Sequence, residues 1–241
     1  MHMKPFIDIH SHILPGMDNG CETREEMTAM IRAYEELGTE AVICTPHFGL
    51  YGVKGRDEEK AWNCLLSVET GIRFYPGNQI LLTRFTLEDL RREDIRTLAG
   101  SKWVLVDYEE VTFRSKGLDI LGGLKWMAES EFVPVLGQPE KYPCLQQDRE
   151  LLKRIAEAGV HFQVNAGDLF SGDPGIRETT QYLLESRLAS FIGSNAHLAM
   201  ELEPVKEGIK WIYDHCPEEY ADAAVHDNAA KLLPVSFQVK Q

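Results

Sequence analysis

A chain of 241 residues with a formal charge of −13 does not offer a general nucleic-acid surface, because phosphate backbones call for clustered Lys and Arg. Its 44% hydrophobic and 26% charged residues are those of a soluble globular protein, and the length fits one large α/β domain. No apolar run approaches the roughly 20 residues that cross a bilayer, and Met1-His2-Met3-Lys4 leads at once into a short strand, so neither a membrane span nor a secretory leader is expected. The five cysteines are odd in number and lack Cys-x-x-Cys spacing, which indicates reduced thiols in a cytoplasmic protein.

Short β-rich runs alternate with helical patterns, as parallel βαβ construction requires. Strands are expected at Phe6–Ile9, Ala41–Cys44, Ile72–Tyr75, Trp103–Val106, Val133–Leu136, His161–Val164 and Ser190–Ile192. Amphipathic stretches lie between them, at Arg24–Leu37, Asp57–Glu69, Leu118–Ser130, Asp148–Ala158, Gly175–Ser186 and Glu201–His215. In the first, Met27, Met30, Ile31, Tyr34 and Leu37 keep the three-or-four spacing of a helix face, with Thr23 placed as N-cap. The glycine-bearing stretch Phe48–Arg56 is expected to be a loop. Seven β/α units favour a barrel over an open Rossmann-like sheet.

Barrel chemistry gathers where strands end at their C-terminal side. Those places hold His10 and His12, then His47, Gln79, Asp107 with Glu109, Gln138 with Glu140, Asn165, and finally Asn195 with His197. Four of the eight histidines fall there. In His10-Ser11-His12 the two-residue repeat of a strand sends both imidazoles to one face, a ready pair of metal ligands. His2, His161, His215 and His226 lie elsewhere and read as structural.

Several motifs carry a resemblance. Asp8-Ile9-His10-Ser11-His12-Ile13-Leu14-Pro15-Gly16-Met17-Asp18-Asn19-Gly20 is similar to the opening motif of the polymerase and histidinol phosphatase (PHP) superfamily, closest to its bacterial capsule- and exopolysaccharide-locus tyrosine phosphatases. Thr45-Pro46-His47, Pro76-Gly77-Asn78-Gln79-Ile80, Leu105-Val106-Asp107, Gly137-Gln138-Pro139-Glu140-Lys141, Gln163-Val164-Asn165-Ala166 and Gly193-Ser194-Asn195-Ala196-His197 follow in the family's order. The resemblance implies one PHP-type phosphoesterase domain over residues 1–241, folded as a distorted (β/α)7 TIM-like barrel. It also implies divalent metal (manganese, iron or zinc) and hydrolysis by a metal-activated hydroxide attacking phosphorus. The substrate would be a phosphotyrosine protein, such as a bacterial tyrosine kinase tail, or a small phosphoester. A homo-oligomer is compatible with it.

Mapped residue by residue, His10, His12, His47, Asp18 and His197 match the family's pattern. Asp107 stands for a bridging Glu, Gln79 for a Glu, Gln138 for a His, Asn195 for an Asp and Lys141 for a phosphate-gripping Arg. An amide oxygen brings no charge to a cation, so one or two metals are expected rather than three. His10, His12, Asp107 and His197 would form one site and His47 would serve a second, with Glu109 able to compensate for the short Asp107. Asp18 or His197 would handle the proton, and Lys141 would attract phosphate as a point charge. The altered ligands also support two rival readings: a weakened or inactive PHP domain used as a binding or regulatory module, and a hydrolase retuned to another substrate.

Overall fold

The computed structural model describes residues 3–48, 57–83, 85–92, 95–108 and 119–234. Nine short parallel strands run through it: β1 (Phe6–Ser11), β2 (Thr39–Cys44), β3 (His47–Phe48), β4 (Arg73–Pro76), β5 (Gln79–Leu81), β6 (Trp103–Asp107), β7 (Val133–Gly137), β8 (His161–Asn165) and β9 (Ala189–Gly193). The seven expected strands are all present. The two extra ones, β3 and β5, continue β2 and β4 after the breaks at Thr45-Pro46 and Gly77-Asn78. These breaks explain why hydrogen bonding divides the strands into β1-β2-β4 and β3-β5-β6-β7-β8-β9. Proline at position 46 cannot donate to a ladder, and a Cβ on Gly77 would stand 2.9 Å from Ile43 Cγ2, so both breaks are written in the chain.

Counting β2/β3 and β4/β5 as single bent strands gives seven. The ring then closes: Asn195 N donates to His10 O (2.7 Å) and His12 N to Ala196 O (3.0 Å), with a parallel bridge between Ser11 and Ala196. This closure sets aside the open-sheet alternative and leaves a (β/α)7 barrel.

Alternation along the strands splits the core in two. Ile7, Ile9, Ile43, Leu105, Val135 and Phe191 fill the barrel, floored by Ala229 and Leu232. Phe6, Val42, Val106, Phe162, Val164 and Ile192 face outward onto the helices. The helix Arg24–Leu37 has the expected bounds; Thr23 and Glu26 form a capping box, and Gly38 ends it in the left-handed region at φ 77°. Elsewhere the acidic residues expected to open helices cap them instead: Asp57 for Glu58–Leu66, Asp148 for Arg149–Glu157. Asp119 caps Ile120–Ala128, shorter than the expected Leu118–Ser130, whose first residue lies outside the described residues. Pro174–Glu185 and Leu202–His215 complete the ring. Of the Phe48–Arg56 stretch only Phe48 is described. Among the described residues no helix is long and apolar enough to cross a membrane.

Candidate metal centre

Asp8 anchors the site from below. Fully buried, its Oδ1 accepts from His10 N and Ser194 N (both 3.0 Å), and its Oδ2 from Tyr34 OH (2.6 Å) and Ser194 Oγ (2.5 Å). One carboxyl thus ties β1, β9 and the first helix together. Burial pushes its pKa up, against the pull of these donors.

The pairing of His10 and His12 has a second cause beyond strand alternation. Ile7 and Ile9 already face the barrel interior, so unbroken alternation would send His10 outward. The register of β1 against β2 shifts between Asp8 and Ser11, and this irregularity re-aims the strand end. His10 then reaches Gln163 inside the barrel and its ring centroid lies 5.5 Å from that of His12.

The tautomers of three rings are fixed by their partners. His12 Nδ1 lies 2.6 Å from Asp18 Oδ2, His197 Nδ1 2.9 Å from Asn195 O, and His10 Nδ1 2.7 Å from Gln163 Oε1. Each partner is an acceptor, so each Nδ1 carries the proton and each Nε2 presents a lone pair. This is how histidines are held for a cation. Ligating nitrogens of His12, His47 and His197 lie within 4.8 Å of one another. His12 stacks on His197 at 4.0 Å between centroids and is 4.6 Å from His47. Burial, then the neighbouring His12, lowers the pKa values of His10 and His197 and brings that of His47 to about 4, keeping these imidazoles neutral at physiological pH.

Asp18 is committed to positioning. Besides His12 it accepts from Gly20 N (2.9 Å) and His47 N (2.8 Å). Burial opposes its charge, but these donors outweigh burial and hold its carboxyl near 2.

The substituted positions keep their aim. Gln138 (φ 49°) and Asn195 (φ 50°) sit in the left-handed region, which costs a residue with a β-carbon energy. Their N–H groups bond Gln163 O (2.8 Å) and His10 O (2.7 Å). Asn195 Oδ1 lies 3.2 Å from His12 Nε2, which places the amide oxygen beside the histidine trio. Gln79 Nε2 reaches Asp107 Oδ2 at 3.4 Å. The Asp107 carboxylate also accepts from Tyr142 OH and, at 2.9 Å, from Tyr108 N. Buried His10 Nε2 and Gln79 Oε1 have no hydrogen-bond partner among the described residues. Both carry lone pairs, so the donor set fits a divalent cation.

A model of the family described as capsular polysaccharide synthesis, CpsB/CapC, matches residues 6–234. The chain belongs to this family. Relatives include the putative tyrosine-protein phosphatase CapC of Staphylococcus aureus, 26% identical over 79% of this chain and 76% of the relative. The tyrosine-protein phosphatase CpsB of Streptococcus agalactiae is 24% identical over 94% of this chain and 98% of its own length. Among solved structures, YwqE from Bacillus subtilis and CpsB from Streptococcus pneumoniae, described as unique metal-dependent tyrosine phosphatases, give a match with TM-score 0.80 at 23% identity, covering 94% of both chains. An inactive dihydroorotase-like domain from Chaetomium thermophilum superposes with TM-score 0.59 at 11% identity, over 95% of this chain and 79% of that one, which speaks for the barrel fold alone.

In this CpsB/CapC chain the structure brings His47 together with His12 and His197, with one ring nitrogen of each within 4.8 Å of the others. His10 and Asp107 fall outside that trio and turn towards Gln163, Gln79 and Tyr142. Glu109 lies outside the described residues. Lys141 does not stand alone: its Nζ is 3.5 Å from Asp168 Oδ2. Sequence reasoning missed the supports Asp8, Tyr34, Gln163, Tyr142 and Asp168. Asp8 and Gln163 carried a signal, each as the first residue of a motif.

Proposed function

We propose that this chain is a metal-dependent phosphatase that hydrolyses aryl phosphoesters of the phosphotyrosine type. The observation that carries this reading is the set of Nε2 lone pairs on His12 and His197, converging with His47 in a chain of the CpsB/CapC family. In this reading His12, His47 and His197, with Asn195 beside them, hold one divalent ion. His10, Gln79, Gln138 and Asp107 offer a second and weaker position, because amides supply no charge. The count is one or two ions of manganese, iron or zinc.

A divalent ion bound there supplies a Lewis acid for a phosphoryl oxygen and a lowered pKa for a water. The chain's own residues do the rest. Asp18 fixes the tautomer of His12 and, through His47 N, the approach of the second ligand strand. His197 either ligates or moves a proton at Nε2. Lys141 places one positive charge on the turn after β7, without the two-pronged grip of an arginine. The natural substrate in this reading is a phosphotyrosine on a cytoplasmic protein of exopolysaccharide production, such as a tyrosine kinase tail.

The test is hydrolysis of an aryl phosphate and of a phosphotyrosine peptide by protein supplied with manganese, beside a His47→Ala variant. Turnover by the native chain that falls at least about 100-fold in the variant is the expected result. Gln79 and Asn195, neutral at ligand positions, favour one second reading, a phosphoryl-binding module. Metal and peptide bound without turnover would establish that reading instead.

A further inference from the structure

Lys141 is the only Lys or Arg, among the described residues, in the turns between strand ends and the helices that follow. It ends the 3-10 turn Pro139–Lys141 after β7, and its N–H donates to Gln138 O at 3.0 Å. Asp168 lies in the next turn, Ala166–Phe170, after β8. The two turns are tied to each other, because Glu140 Oε1 accepts from Asn165 N at 2.8 Å, while Gln146 Nε2 holds Glu140 O from the helix that follows. Lys141 Nζ stands 3.5 Å from Asp168 Oδ2, with side chains 39% and 16% exposed, so the aspartate is the more enclosed partner and the lysine the one open to solvent.

We propose that Asp168 is a positioning residue of the phosphoryl site that tempers its affinity for anions: it occupies the ammonium of Lys141, and an incoming phosphoryl oxyanion must take the lysine from it. This rests on the phosphoryl-site reading given above. A phosphomonoester or inorganic phosphate carries between one and two negative charges at neutral pH. Meeting a lysine already paired, it finds a neutral couple instead of a free cation. Asp168 therefore weakens the hold on phosphate, substrate and product alike, and the site depends more on metal and leaving group for affinity. The pair is partly exposed, so its effect is modest and falls with salt.

The experiment is calorimetric titration of inorganic phosphate into manganese-loaded protein, for the native chain, Asp168→Asn, and Asp168→Asn with Lys141→Met. The expected result is phosphate binding about fivefold tighter in Asp168→Asn, a gain lost in the double variant and reduced at high salt. Unchanged or weaker binding in Asp168→Asn would overturn the proposal, as would a gain that survives loss of the lysine. Melting temperatures check folding, and Asp168→Ser replaces any variant that fails to fold. Phosphate binding needs no turnover. A chain that cleaves no ester but shows the shift keeps this inference and loses the phosphatase reading; one that cleaves ester without the shift does the reverse.

Discussion

Whether a histidine can ligate is decided by what its other nitrogen does. Asp18, a carbonyl and an amide oxygen each take an Nδ1 proton, turning three Nε2 lone pairs free for a cation. Replacing Asp18 by Asn keeps the shape but allows either tautomer at His12. We expect Asp18→Asn to lower metal affinity by about 10–100-fold, read by competition with a chelating dye, with the fold retained. The burial that keeps these rings neutral has a cost in acid. His47 titrates near 4 in the folded chain against 6.5 in the open one, and His10 and His197 are shifted the same way. As pH falls below 6.5 the unfolded chain takes protons that the folded chain refuses, so metal-free protein loses stability until the folded pKa is reached. Urea midpoints in chelator, between pH 7 and pH 4, check this; a flat profile would contradict it. The ligand residues themselves were legible, because His-x-His and Thr-Pro-His fall where strands end. Their partners were legible only in part: Asp18, Asn195 and Gln163 stand in the same motifs, but Gln163 meets His10, 153 positions away, only once the barrel has closed.

At the scale of elements, periodicity located the strands and helices well, because half of each element packs against a core with a fixed repeat. It could not show a register shift. The slip between Asp8 and Ser11 changes no composition, yet it decides which way His10 points. Nor could it show the left-handed turns at Gln138 and Asn195, which neighbouring backbone imposes. Close approaches give the sharpest tests here. A Cβ on Gly20 would lie 2.2 Å from His12 O and 2.6 Å from His12 Cβ. Gly20→Ala should therefore displace His12 and weaken metal binding along with stability. A Cβ on Gly208 would meet Ala166 O at 2.2 Å, so Gly208→Ala should lift the helix Leu202–His215 from the turn after β8. The expected loss is about 1–3 kcal/mol by chemical denaturation.

For the whole molecule, closure and chemistry share one residue. Asp8 joins β1 to β9 and to Tyr34, and the same seam carries His10, Asn195 and His197. Asp8→Ala would strand the buried N–H groups of His10 and Ser194 and leave the hydroxyls of Tyr34 and Ser194 only each other and His10 O. We expect about 3–5 kcal/mol of destabilisation, with the metal site lost together with the seam. A variant that melts like the native chain would show that closure does not depend on this carboxyl.

The central claim is that His12, His47 and His197 form a metal centre, and elemental analysis tests it most directly. Protein purified without chelators, beside a variant carrying His12→Ala and His197→Ala, should hold one or two equivalents of manganese, iron or zinc. The variant should hold less than about half an equivalent while keeping its fold. Native protein free of metal after manganese reconstitution, or a variant that binds as much as the native chain, would contradict the account.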